Sequence, residues 1–223
     1  MVRRVVRSGR RRASEALVGR VHARTALAPA DGAVALTFDD GPHPEHTPLV
    51  LDELARLGIV ATFFLVGQRA VERPDLVRRI VDGGHAVGSH SSSHVEPWTV
   101  PLAELAREYR RGRSEVEGAV GREVALFRPP KGYVDAKGAL AMRAAGVRPW
   151  LWTIDPGDWR PGIDAPAIVA GTDGLAAGDV VLLHDAIEGP LEPNALDRSA
   201  TCAALDGIVS LARSRDLRFV TLT

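Results

Sequence analysis

The 223-residue chain has a single cysteine, Cys202, so it cannot form an internal disulfide, and one thiol does not fix a redox compartment. It has no excess of either charge: Lys plus Arg is 28 and Asp plus Glu is 28. That balance gives no global attraction to nucleic acid or another polyanion. No apolar run approaches the ~20 residues of a membrane span. No apolar stretch of about 7–15 residues follows the basic start, as a secretory signal requires. These absences predict a cytoplasmic protein. Aromatic residues are only 5% of the chain, yet three of its four tryptophans, Trp150, Trp152 and Trp159, fall within ten residues. The remainder, 45% hydrophobic and 25% charged, suits one globular domain with a sizeable core.

The concentrated charge lies at the start, where "MVRRVVRSGRRR" carries six arginines. A block of like charge reads as a solvated arm, here residues 1–32. Its continuation, "ASEALVGRVHA", can form a short amphipathic helix in weak contact with a membrane surface. The domain proper is expected over 33–223, without a repeat or a low-complexity linker.

From residue 33 apolar, strand-like runs alternate with helical patterns. The strand candidates are 33–38, 59–67, 85–90, 124–128, 147–155, 179–185 and 218–223, each short and rich in Val, Leu or aromatics. Between them lie helical segments at 47–58, 73–84, 101–121, 135–146, 166–178 and 194–216. Gly58 suits a helix C-terminus and Pro74 a first turn. The alternation predicts an α/β fold, a distorted (β/α) barrel of about seven strands, with an open doubly wound sheet as the alternative. In such folds functional groups collect at the C-terminal ends of the strands. Asp39 and Asp40 follow the first run, His90 and Arg128 close the third and fourth, Asp155 and Asp158 follow the fifth, and His184 ends the sixth.

"HSSSH" places His90 and His94 four residues apart, a spacing that puts two imidazoles on one side of a helical turn. With a carboxylate from "TFDDGP" they make a metal site with open positions. Adjacent Asp39 and Asp40 project differently, so one can bind metal while the other stays free to take a proton. A divalent metal lowers the pKa of bound water to about 7. Taken singly these stretches have blander readings: Asp-Asp-Gly-Pro is a turn, His-x-x-x-His a surface loop, His184 a satisfied core group. Meeting at one mouth, they point to hydrolysis, with His184 as general acid oriented by Asp158 or Asp155. Arg128 can hold a carboxylate, and Trp159 can line a pocket.

Together these residues resemble the polysaccharide deacetylase family, whose members carry the NodB homology domain. The motifs stand in order as "TFDDGP", "HSSSH", "RPPKG", "DPGDW" and "LLH" across residues 33 to 223. The resemblance implies a divalent metal, commonly zinc, and hydrolysis of an acetamido group on an N-acetylated glycan. It implies Asp39 as general base, and Asp40, His90 and His94 as metal ligands. Arg128 then orients Asp39, His184 is the acid and Asp158 tunes it. Trp159 and Leu182 wall the acetyl pocket, and the backbone N–H of Lys131 meets the oxyanion. The family usually has an aromatic residue where this chain has Lys131, which changes the groove wall and leaves Tyr133 to compensate. Relatives acting on chitin or peptidoglycan usually work outside the cytoplasm, so a cytoplasmic enzyme favours soluble oligosaccharides or lipid-linked precursors. The competing readings are an amidohydrolase for a small non-sugar amide, and a non-catalytic glycan-binding module. Oligomeric state is not legible.

Overall fold

The computed structural model describes residues 23–28, 32–188 and 196–223. Most of the basic arm, with its expected amphipathic helix, lies outside them. Arg24 and Leu27, on the arm side of residue 32, join the domain: Arg24 N–H donates to Pro149 O at 3.0 Å and Leu27 N–H to Gly178 O at 2.8 Å.

The central strand β1 (Ala33–Asp39) is buried along its whole length, as a parallel strand covered on both faces must be. It is flanked by β2 (Thr62–Leu65) and β4 (Val180–His184), and β3 (Ala86–Ser89) lies outside β2. The short β5 (Arg218–Phe219) pairs with Ala33 and Val34 at the start of β1. All these pairings are parallel.

Five strands form the sheet rather than the seven expected. The runs at 124–128 and 147–155 approach it but contribute only isolated bridges, Ser89 to Phe127, Phe127 to Pro149, and Ile154 to Val181. Prolines explain part of this. Pro129, Pro130 and Pro149 have no N–H to extend a ladder. Next to β4 a side chain replaces a backbone acceptor, because Val180 N–H donates to Thr153 Oγ1 at 2.9 Å.

The helices among the described residues are α1 (His46–Leu57), α2 (Gly67–Glu72), α3 (Pro74–Asp82), α4 (Leu102–Val120), α5 (Ala136–Ala145), α6 (Ala165–Ala170) and α7 (Ser199–Arg213). In α1 the apolar residues Val50, Leu51, Leu54 and Leu57 recur at helical spacing and are buried. Each fully buried side chain of that size contributes about 1.5–3 kcal/mol. The helix stops at Gly58, left-handed at φ 65°, whose N–H returns to the last carbonyls. Asp135 caps α5 by accepting from Gly138 N–H at 2.8 Å. The segment expected as a helix over 166–178 is shorter, ending at Ala170, and α2 occupies part of the run read as a second strand. No helix among the described residues is long and apolar enough to cross a membrane.

Candidate active site

The register of β1 fixes the first relationship at the mouth. Asp39 faces Phe64 on β2 and His184 on β4 as direct cross-strand partners. Asp40 follows at φ 73°, and both carboxylates face His90 Nε2, which lies 3.8 Å from Asp39 Oδ2 and 3.3 Å from Asp40 Oδ1. Non-glycine residues with positive φ are rare and cost about 1–3 kcal/mol each. Four of the five among the described residues are Asp40, Ser91, His94 and Lys131, all at this mouth.

His90 and His94 converge, but not on a helical turn. Residues 90–95 contain no helix, and the loop is folded by left-handed Ser91 and His94. Their rings lie 5.1 Å apart. Helix α4 packs directly beneath. A Cβ on Gly112 would sit 2.1 Å from the carbonyl carbon of Ser91, so only glycine permits this approach. Ser92 Oγ donates to Glu115 Oε2 at 2.7 Å, and Ser93 N–H donates to Glu108 Oε2 at 3.0 Å. From the other side, Gly67 and Gln68 N–H at the start of α2 donate to the carbonyls of Ser91 and Ser92.

Asp40, His90 and His94 are buried, with one ligand atom from each lying within 4.8 Å of the others. His90 Nε2 and His94 Nε2 each stand 3.3 Å from Asp40 Oδ1. His90 Nδ1 lies 2.8 Å from Arg128 O. A carbonyl only accepts, so Nδ1 carries the proton and Nε2 turns its lone pair to the cluster. Burial pushes the His94 imidazole down to about 3, against the Asp40 charge, so it is neutral at neutral pH. Burial works to raise Asp40, but His94, His90 and His184 together outweigh it and hold the carboxyl well below the usual carboxylate range. Two imidazoles and one carboxylate aimed at one point fit a divalent transition metal.

Asp39 is braced from behind. Arg128 is fully buried and every guanidinium nitrogen is engaged. Nη1 donates to Asp39 Oδ1 at 2.7 Å and to Thr37 Oγ1 at 2.8 Å. Nε reaches Trp150 O at 3.1 Å and Nη2 reaches Leu151 O at 3.0 Å. The plane lies 4.2 Å over the Phe64 ring. Burial pulls the guanidinium below its ordinary pKa, opposed by the Asp39 charge.

His184 is braced by Asp158. Its Nδ1 lies 2.7 Å from Asp158 Oδ1, and its backbone N–H donates to Asp158 Oδ2 at 2.9 Å. Thr201 Oγ1 donates to the same Oδ2 at 3.0 Å, and Arg198 Nη1 to Asp158 O at 2.8 Å. Burial alone lowers the imidazole pKa. The Asp158 charge and hydrogen bond, with Asp40 and Asp39 beyond, outweigh it and raise His184 to about 9. Asp155, the other candidate partner, instead accepts from Gly157 N–H at 2.9 Å and Trp159 Nε1 at 3.3 Å.

These groups surround a cavity of about 350 Å³, with Trp159, Leu182, Trp152 and Lys131 also in its wall. Lys131 is the middle residue of a 3₁₀ turn, Pro130–Gly132, and its Nζ lies 3.9 Å from Glu96 Oε1. Tyr133 is not part of that wall; its ring packs edge-on against Trp98 at 6.0 Å, and its hydroxyl donates to Asp135. The sequence reading passed over Thr37, Thr201, Arg198 and the α4 residues Glu108, Gly112 and Glu115, and gave Trp152 no place at the site. Trp152 alone had a legible signal, as a member of the tryptophan cluster. The others act across long sequence separations that no local pattern marks.

A family model described as polysaccharide deacetylase matches residues 27–150. A peptidoglycan-N-acetylglucosamine deacetylase of Bacillus cereus is 36% identical over 193 residues, covering 85% of this chain and 86% of its own. A chitooligosaccharide deacetylase of Sinorhizobium fredii is 35% identical over 189 residues, covering 82% and 86%. Among solved structures, a peptidoglycan N-acetylglucosamine deacetylase superposes with a TM-score of 0.77 at 30% identity, over 89% of this chain and 90% of that one.

Proposed function

Since this chain belongs to the polysaccharide deacetylase family, hydrolases of N-acetyl amide bonds, we propose that it removes acetyl groups from N-acetylglucosamine-type poly- or oligosaccharides. The observation that carries the reading is the convergence on one cavity of Asp39, His184 and the Asp40–His90–His94 cluster. A divalent metal, zinc in our reading, would be held by Asp40, His90 and His94 and supplies a Lewis acid with an acidified water.

The chain's own groups divide the remaining work. Asp39 takes the proton of the water that adds to the acetyl carbonyl carbon. Arg128 fixes the direction of that carboxylate, leaving Oδ2 toward the cavity. The backbone N–H of Lys131 donates to the tetrahedral oxyanion, and losing one such donor typically costs about 10²–10³ in rate. His184 Nε2–H gives its proton to the sugar nitrogen as the C–N bond breaks, releasing acetate and the free amine. The value of about 9 supports His184 as the acid, since it holds the proton at neutral pH. Trp159 and Leu182 wall off the acetyl methyl group.

The test is acetate release from a panel of N-acetylated oligosaccharides and peptidoglycan, with added divalent metals. Release is expected from the glycans and not from small non-sugar amides. No release from any glycan by metal-loaded protein overturns the reading. Elemental analysis of a His90→Ala/His94→Ala variant should show metal lost, and equal content with wild type would refute the ligand assignment.

A further inference from the structure

Asp40 is gripped by a charged pair that the chemistry above leaves unused. Arg69, on α2, reaches across to the end of β1, where its Nη1 donates to Asp40 O at 2.9 Å. Its Nη2 lies 2.8 Å from Glu188 Oε1 and donates to Ile187 O at 3.5 Å. The Glu188 N–H in turn donates to Asp40 Oδ2 at 3.1 Å. Arg69 and Glu188 therefore close a ring on Asp40, one holding its carbonyl and the other its side chain. Ile187 stands in the cavity wall, so the same guanidinium ties that wall to the carboxylate.

Each contact has a consequence for the carboxylate. Asp40 has φ 73°, and a non-glycine residue stays there only where its surroundings fix it. The bond from Arg69 to Asp40 O is one such constraint, and the bond from Val66 N–H to Gly41 O, at 2.9 Å, is the next along the chain. With Oδ2 accepting from Glu188, Oδ1 is the oxygen that stands 3.3 Å from both His90 Nε2 and His94 Nε2. One oxygen thus faces the protein and one the cluster. Glu188 lies past the end of β4 in neither helix nor strand, so its N–H depends on the ion pair with Arg69 for its place. We propose that Arg69 is a positioning residue for Asp40, acting through the Asp40 carbonyl and, by way of Glu188, through Oδ2. The role rests on the metal-ligand reading above and adds the group that sets the direction of the carboxylate. Arg69 does not line the cavity. A partly exposed ion pair contributes little to the fold itself, so its effect belongs at the ligand.

The experiment measures zinc affinity of the full chain by competition with a chelator, beside thermal unfolding of the metal-free protein. Arg69→Ala is expected to weaken zinc binding about tenfold, at the low end of the usual range for groups behind the ligands. The metal-free unfolding midpoint should stay close to wild type. Arg69→Lys should restore only part of the affinity, because a single ammonium cannot span Asp40 O and Glu188 as the planar guanidinium does. Glu188→Gln keeps the N–H and a side-chain acceptor, and should bind zinc nearly as wild type does. Glu188→Ala should weaken binding less than Arg69→Ala. The double variant Arg69→Ala/Glu188→Ala should be no weaker than Arg69→Ala alone, since the Glu188 side chain acts through the guanidinium. Fully additive losses would overturn that path. Zinc affinity lost in step with metal-free stability would make Arg69 a support of the fold and overturn the positioning role. Wild-type affinity in Arg69→Ala overturns this role alone and leaves the ligand reading intact. A wild-type chain that binds no zinc overturns the ligand reading and this role together.

Discussion

Two buried carboxylate–cation pairs face each other across β1 and β4, and they are built in opposite senses. In the first, Arg128 is the fixed support: four acceptors besides Phe64 surround it, and Asp39 is the member left at the cavity. In the second, Asp158 is the support: its two oxygens take His184 Nδ1, His184 N–H and Thr201 Oγ1, and His184 is left at the cavity. One pair presents a proton acceptor behind a cation that does not titrate near neutrality. The other presents a proton donor behind an anion. Because Asp39 and His184 are cross-strand partners, a single β pairing sets the spacing of both. A buried ion pair is weak evidence of stability. Here the two are better understood as devices for aiming the exposed member.

The largest break in that comparison is Asp39→Asn. It keeps the shape and an acceptor for Arg128 but cannot take a proton. Turnover should fall by about 10²–10⁴, the usual worth of a positioned general base. Metal content should stay at the wild-type level, since Asp40, His90 and His94 are untouched. Acetate release beside elemental analysis checks it. Normal turnover would remove Asp39 from the role of base.

Asp158→Asn attacks the other pair and should do less. His184 stands at about 9 because Asp158 outweighs burial. Without that charge burial is opposed only by Asp40 and Asp39, and the imidazole pKa falls. The alkaline limb of kcat/KM should therefore move to lower pH, with turnover at pH 8 down about tenfold or more. A raised pKa also ties stability to pH. The pair's contribution is full below about 6.5 and is lost as pH rises through about 9, so the variant should lose this dependence. A divalent cation at Asp40 repels an imidazolium, so the limb belongs to the coupled site, and the His184 imidazole itself titrates lower in loaded than in chelated protein. A limb that stays put in Asp158→Asn would mean that Asp158 does not tune His184.

The members of these pairs that reach the cavity were legible in the sequence, and much of what holds them was not. Asp39, Asp40, His90 and His184 stand at the ends of apolar runs, where strand alternation announces them. Arg128 also closes such a run, although its stretch makes only a bridge at Phe127. Asp158 and Asp155 looked equivalent in "DPGDW"; the fold separates them by turning Asp155 into a local turn acceptor. The strand count failed where prolines remove donors and Thr153 substitutes a hydroxyl for a backbone group. The His90–His94 spacing suggested a helical turn, but two left-handed residues bring the rings together instead. Their support comes from α4, which reads in sequence as a long helix with exposed Arg and Glu.

That hidden support gives the smallest of the expected effects. Glu115 is clamped between Ser92 Oγ at 2.7 Å and Arg111 Nε at 2.7 Å. Ser92 lies between the two histidine ligands, so Glu115 acts on the metal cluster only by holding their loop. Glu115→Ala should leave the ligands in place but free the loop, weakening metal affinity severalfold, below the usual 10–100-fold range for groups behind the ligands. Competition with a chelator measures it. Arg111→Ala is the control, because that guanidinium is largely exposed and an exposed i,i+4 pair contributes little. It removes the outer half of the same bridge and should leave metal affinity as in wild type. If both variants bind metal like wild type, Gly112 and the α2 N–H groups suffice to hold the loop, and Glu115 has no positioning role. If both weaken equally, general loosening of α4 and not the Ser92 contact is responsible. Loss in Glu115→Ala alone ties the histidine pair to a carboxylate on a helix that contributes no ligand.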